Sequence, residues 1–95
     1  MAAYIIVHLD YQEQAKLAEY QKLASPTMAP FGIRLLGKSL DAKPLEGEVP
    51  GRLTVLLEAD SVEAAERWFH SPEYQRAAEA RRPVSSFNAV VVPAS

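Results

Sequence analysis

The hydrophobic pattern begins with a short run that is typical of a β-strand. Residues 3–9 are rich in β-branched and aromatic side chains. One face of this run is uniformly apolar and carries Ala3, Ile5, Val7 and Leu9. The other face is mixed and carries Tyr4, Ile6 and His8. We therefore predict a first strand that is buried on both faces, with another subunit as a candidate cover for the mixed face.

From about residue 12 the pattern changes to a helical period. Apolar side chains then recur at intervals of three or four, as one face of a helix requires. They are Leu17, Tyr20, Ala24 and Met28. Pro26 has no N–H, so we expect it to disturb the helix, or to open a final short turn that Ser25 caps. Pro30 and Gly32 are predicted to end the element.

Three further strands are predicted after this helix. Residues 33–40 form the second, with Leu35 and Leu36 on opposite faces. Residues 41–51 hold two prolines, two glycines and three acidic residues, which indicates a loop. The third strand covers residues 53–57, and a short apolar run at residues 88–92 forms the fourth.

Residues 60–83 predict two helices with a break between them. Asp60 or Ser61 is a candidate cap for the first helix, and Ser71, followed by proline, for the second. The apolar stripe of the first helix consists of Val62, Ala65 and Phe69, with Trp68 at its edge. Pro83 is expected to stop the second helix.

The predicted order is therefore β-α-β-β-α-β in one domain that covers residues 1–95. This order is that of the ferredoxin-like α+β fold, a four-stranded antiparallel sheet with helices on one face. The other sheet face is left open, and we expect it to carry Tyr4, Ile6, His8, Leu36, Thr54 and Leu56. An exposed apolar face of this kind marks an interaction surface. Two such sheets packed face to face would make a homodimer, a dimeric α+β barrel.

The charge balance argues against nucleic-acid and membrane partners. Ten Lys and Arg residues against twelve Asp and Glu residues give a formal net charge of −2, so the chain has no overall attraction to polyanions. The third predicted strand also lacks the aromatic side chains with which RNA-recognition motifs of this topology stack bases. We predict no nucleic-acid partner.

The absence of cysteine excludes disulfides, thiolate metal ligands and a cysteine nucleophile. The first apolar run is too short for a signal peptide. No stretch approaches the roughly 20 apolar residues that span a bilayer. We expect a cytoplasmic location and no membrane partner.

The two histidines are candidates for acid–base chemistry. His8 would serve as the catalytic acid or base near neutral pH; the alternative is a strand-end histidine that is hydrogen-bonded at a dimer interface. His70 falls at a helix end, where its cationic form would interact favourably with the helix dipole. Simple exposure to solvent is the other alternative for this residue. Neither histidine has the spacing of a metal site, so no metal and no cofactor are predicted.

Four larger side chains are candidate ligand-binding residues: Arg34, Trp68, Tyr74 and Arg81. Trp68 and Tyr74 would line a pocket, the indole providing apolar area and the phenol a polar group. Alternatively, both side chains anchor the broken helices on the sheet.

The two arginines would bind a carboxylate or a phosphate through their guanidinium groups. The alternative for Arg34 is an ion pair across the sheet or an interface, for example with Glu46 or Glu58. The alternative for Arg81 is a charge that complements a helix C-terminus.

The chain resembles the family called domain of unknown function 1330 over nearly its whole length. The resemblance is carried by Ala3-Tyr4-Ile5-Ile6-Val7, Tyr20 with Lys22-Leu23-Ala24, Phe31-Gly32-Ile33-Arg34, Leu45-Glu46-Gly47, Arg52, Ser61 with Glu63-Ala64-Ala65, Trp68 with Ser71-Pro72-Glu73-Tyr74-Gln75, and Arg81. The chain departs from the family pattern at Ile33, at Glu13-Gln14 and at His8.

This resemblance implies a dimeric α/β-barrel protein but no particular reaction. The wider superfamily includes cofactor-free monooxygenases, isomerases of small molecules and haem enzymes. One hypothesis is a protein that binds or converts a small organic molecule, as a cofactor-free oxidoreductase or isomerase, and it predicts a cavity between sheet and helices. The other is a non-catalytic homodimeric structural or interaction module.

Overall fold

The structure, a computed structural model, describes residues 1–82 and 85–95. In this part of the chain the elements follow the predicted order. They are β1 (Ala3–Tyr11), α1 (Gln14–Met28), a 3₁₀ turn (Ala29–Phe31), β2 (Arg34–Ser39), β3 (Leu53–Ala59), α2 (Val62–Phe69), α3 (Pro72–Arg81) and β4 (Ser85–Pro93). The helix stop predicted at Pro83 lies outside the described residues.

The four strands form one sheet in the order β2-β3-β1-β4, and every neighbouring pair is antiparallel. At the centre of the sheet, Val7 lies opposite Val55 on one side and Ala89 on the other. The molecule is only 16 Å deep along its shortest axis, which corresponds to one sheet and one layer of helices. The predicted ferredoxin-like α+β fold is confirmed.

The two sheet faces separate as the alternation of side chains predicts. Ile5, Val7 and Leu9 on β1 are buried beneath the helices together with Leu53 and Leu57 on β3. The intervening side chains point to the opposite face, which no element covers within the part of the chain that the structure describes. Its exposed apolar residues are Leu36 (50% exposed), Leu56 (39%), Val90 (48%) and Val92 (44%).

Pro26 does not end the first helix, so the expected disturbance is wrong. It lies inside the last turn of α1, where its missing N–H removes only the bond to the carbonyl of Lys22. The hydroxyl of Thr27 adds a hydrogen bond to the carbonyl of Ala24 at 2.6 Å. The helical segment ends at Gly32, whose φ of 73° places it in the left-handed region. The N–H of Gly32 donates to the carbonyl of Ala29.

Two serines cap the N-termini of α2 and α3, as predicted. The Ser61 hydroxyl accepts the N–H of Ala64 at 3.0 Å and caps α2. The buried Ser71 hydroxyl accepts the N–H of Tyr74 at 3.2 Å and donates to the carbonyl of Trp68 at 2.7 Å. The same side chain therefore begins α3 and fixes the end of α2.

The buried face of α2 differs from the predicted stripe. Ala64, Ala65 and Trp68 are buried, whereas Val62 and Phe69 are only partly buried. Two alanines allow the helix to approach the sheet closely, and the indole then fills the space one turn further on. Trp68 is thus at the centre of this face rather than at its edge.

Candidate ligand-binding cavity

A cavity of about 160 Å³ lies between the sheet and the helices. Its floor is formed by inward side chains of the sheet such as Val7 and Val55, and Ala24 and Met28 of α1 border it from above. Helix α1 packs mainly against α3 and makes few contacts with the sheet. The small side chain of Ala24 leaves the remaining gap unfilled.

An aromatic wall closes one side of the cavity. The ring centroids of Trp68 and Tyr74 are 4.6 Å apart, and Phe69 lies 5.0 Å from Tyr74. The indole N–H of Trp68 donates to the hydroxyl of Thr27 at 2.9 Å, which fixes the indole plane. Because Ser71 breaks the helix between them, Trp68 and Tyr74 reach the same cavity from two different helices.

A hydrogen-bonded set of polar side chains stands behind this wall. The Nη2 atom of Arg81 donates to the hydroxyl of Tyr74 at 3.3 Å, and the hydroxyls of Tyr74 and Tyr20 are 2.8 Å apart. Arg81 is buried in the last turn of α3, with its guanidinium carbon 3.4 Å from the ring centroid of Phe87. A cation is therefore held in an aromatic environment next to two phenols.

Tyr20 remains a neutral hydrogen-bonding group in this setting. Burial raises the pKa of Tyr20 well above its ordinary value, and the neighbouring Tyr74 raises it further, whereas Arg81 lowers it. Burial dominates because an unpaired phenolate has little solvation away from water. At physiological pH Tyr20 consequently offers a protonated hydroxyl to the cavity that it lines.

The structure brings three of the five sequence-predicted site residues together. Trp68 and Tyr74 line the cavity, and Arg81 contacts Tyr74 from behind. Both aromatic residues also hold the broken helices on the sheet, so the two alternatives for them coexist. Arg34 and His8 lie on the opposite face of the sheet, away from this cavity.

Arg34 is engaged in a surface ion-pair network. Its Nε atom is 3.0 Å from Glu58 and its Nη2 atom is 3.2 Å from Asp60. The hydrogen bond that Arg34 donates to Glu58, with a smaller contribution from Asp60, raises the pKa of Arg34. The predicted pair with Glu58 is present.

Neither His8 nor His70 is among the residues that line the cavity. The Nδ1 atom of His8 is 3.4 Å from the hydroxyl of Thr54 on the neighbouring strand. His70 is exposed at the C-terminal cap of α2, with its ring 5.5 Å from that of Phe69. A catalytic role for His8 stays a prediction.

Two cavity residues are not among the predicted site residues. Tyr20 belongs to the predicted apolar stripe of the first helix, although a buried tyrosine needs a partner for its hydroxyl. Lys38 lies at the exposed rim because a bulge between Leu35 and Gly37 shifts the register of β2. The hydroxyl of Tyr20, which needs a partner, is a signal that the sequence carries. No local sequence pattern marks the bulge.

Within residues 1–82 and 85–95, no group of three His, Asp or Glu side chains is arranged to hold a metal ion. No helix in the same ranges is long and apolar enough to cross a membrane.

Comparison with known proteins places the chain among ferredoxin-like structures. A family model described as domain of unknown function (DUF1330) matches residues 2–95. No curated protein matches the chain in sequence.

Three solved structures illustrate the likeness. A protein of unknown function from Rhodopseudomonas palustris is 13% identical with a TM-score of 0.78, over 99% of this chain and 82% of that one. SnoaB, a cofactor-independent oxygenase from Streptomyces nogalater, is 12% identical with a TM-score of 0.70, over 99% and 93%. A dimeric ferredoxin-like protein of unknown function from Thermobifida fusca is 14% identical with a TM-score of 0.65, over 99% and 92%. At these identities the likeness establishes the fold.

Proposed function

Because the chain belongs to the DUF1330 family, whose name assigns no reaction, we propose a function from the cavity itself: the protein binds a small, largely apolar organic molecule about the size of one aromatic ring. The observation that carries this proposal is the unfilled space of about 160 Å³ beside Trp68 and Tyr74. An apolar cavity of about 150 Å³ is large enough to bind benzene.

The lining of the cavity also supports a ligand. It is mainly apolar, and it opens to solvent beside the exposed Lys38 and Ser25, so a small apolar molecule can enter and bury its surface there. A bound molecule would add to the stability of the folded state.

We further propose that two copies associate through the open sheet face. The apolar side chains on this face, including Leu36, Leu56, Val90 and Val92, are 39–50% exposed in one chain. Relatives of the same fold from Bacteroides fragilis and Thermobifida fusca are described as dimeric. Pairing of the two faces would cover these side chains and place His8 at the interface.

A narrower hypothesis adds a reaction to the binding. The likeness to the cofactor-independent oxygenase SnoaB favours an oxidation that needs no cofactor. Isomerisation of a small molecule without a cofactor is the other reaction that this hypothesis includes. The alternative is a non-catalytic homodimeric module, which the apolar open face favours. In that case the cavity has no ligand.

Nuclear magnetic resonance offers a direct test of binding, because Trp68 is the only tryptophan and gives a single indole N–H signal. Titration with single-ring aromatic compounds is expected to shift this signal in a saturable manner. Ala24→Leu, which fills the cavity, should abolish the shift. Ala18→Leu, the same change on an exposed part of α1, should preserve it. A wild-type signal that no compound moves would refute the binding function.

A further inference from the structure

The direction of the hydrogen bonds behind the aromatic wall determines what Tyr20 offers to the cavity. A guanidinium group has only donors, so Arg81 donates to the Tyr74 oxygen. Tyr74 is fully buried, and among the described residues its hydroxyl has one further neighbour, the hydroxyl of Tyr20 at 2.8 Å. A buried hydroxyl that fails to donate is costly. We therefore assign Tyr74 as the donor and Tyr20 as the acceptor of this hydrogen bond.

This assignment leaves the proton of Tyr20 as the end of the chain. The Tyr20 oxygen accepts from Tyr74, and no acceptor for its own O–H is found among residues 1–82 and 85–95. Tyr20 lines the cavity. The other polar side chains that border the cavity, Gln21, Ser25 and Lys38, are partly or fully exposed and lie at its rim. The cavity thus has largely apolar walls, and the Tyr20 hydroxyl is a donor that faces it.

We infer that the ligand is a small aromatic or similarly apolar molecule with an oxygen acceptor, such as a ketone, a quinone or an enone carbonyl, and that Tyr20 donates its hydrogen bond to that oxygen. This specificity rests on the binding function proposed above. The hydrogen bonds among Arg81, Tyr74 and Tyr20 hold the Tyr20 hydroxyl in place at the cavity. The raised pKa of Tyr20 keeps the proton in place over the physiological range.

Two probes of matched shape test this inference. Acetophenone has a carbonyl oxygen where α-methylstyrene has a methylene group, and both have one ring. Their Kd values are measured by calorimetry for the wild type, for Tyr20→Phe and for Tyr4→Phe, a matched change on the open sheet face. Tyr20→Phe is expected to weaken acetophenone binding by about tenfold and to leave α-methylstyrene binding unchanged. Tyr4→Phe should affect neither.

The outcomes separate the two proposals. Equal weakening of both probes by Tyr20→Phe, or weakening of neither, overturns the role of Tyr20 while the binding function stands. Binding of neither probe by the wild type overturns both.

A measurement on the wild type covers the case in which Tyr20→Phe does not fold. The carbonyl stretch of bound acetophenone, observed by infrared difference spectroscopy, should move to lower frequency than in an apolar solvent. An unshifted band in the saturated complex overturns the inference.

Discussion

Replacing Ala24 by leucine tests whether the space above the sheet is an unfilled cavity. Ala24 is buried on α1 and borders the cavity of about 160 Å³. Leucine adds three carbon atoms, and at about 0.8 kcal/mol per buried methylene the gain is at most about 2.4 kcal/mol. The helix propensities of the two residues are close. Imperfect packing reduces this gain, so we expect the free energy of unfolding to rise by about 1–2 kcal/mol.

Urea denaturation followed by circular dichroism provides the measurement. All variants are compared at one protein concentration, since dimerisation makes the midpoint depend on concentration. Ala18→Leu is the control, and it should leave the free energy of unfolding unchanged because residue 18 is exposed. If Ala24→Leu instead destabilises by about 1–3 kcal/mol, as overpacking of a filled core does, the cavity does not exist in solution.

Three further predictions concern the tyrosine pair, the helix break and the open face. The raised pKa of Tyr20 keeps it protonated in the folded state while unfolded tyrosine ionises above about pH 10. Stability is therefore lost as the pH rises, by about 1.4 kcal/mol at pH ~11 relative to neutral pH. Denaturation at neutral pH and at pH ~11 should show that Tyr20→Phe lacks this loss and that Tyr4→Phe retains it. Equal losses in all three proteins would contradict the prediction. Ser71→Ala should lower the free energy of unfolding by about 1–3 kcal/mol, because two buried hydrogen bonds disappear; an unchanged urea midpoint would count against this role of the cap. Leu56→Asp should give the monomer mass in light scattering, because an unpaired carboxylate is costly in an interface, whereas Leu45→Asp in the exposed loop should not; a dimer in both variants would exclude the open face as the interface.

The fold was predictable because its determinants are local. The alternation in β1 assigned the two sheet faces, and Ser61 and Ser71 each carried a capping signal that the structure uses. Pro26 differs from the expectation because the helix accommodates it within its last turn, with a cost confined to the missing bond and the crowding at Lys22. The bulge in β2 also depends on pairing with β3, which no local pattern specifies.

The candidate site was less predictable because it depends on contacts between distant segments. Trp68 and Tyr74 were identified as a pair since both belong to the broken helices. Their polar partner Tyr20 lies 54 positions before Tyr74, and only the packing of α1 against α3 brings the two hydroxyls together. Arg34 was grouped with them by residue type alone, and its ion pairs place it on the opposite face.

A crystal structure of the protein with acetophenone would show whether the cavity binds a ligand that Tyr20 recognises. We expect electron density for one ring between Trp68 and the sheet, with the ketone oxygen within hydrogen-bond distance of the Tyr20 hydroxyl. A saturated crystal in which this space is closed by side chains, or in which the compound lies elsewhere on the molecule, would contradict it.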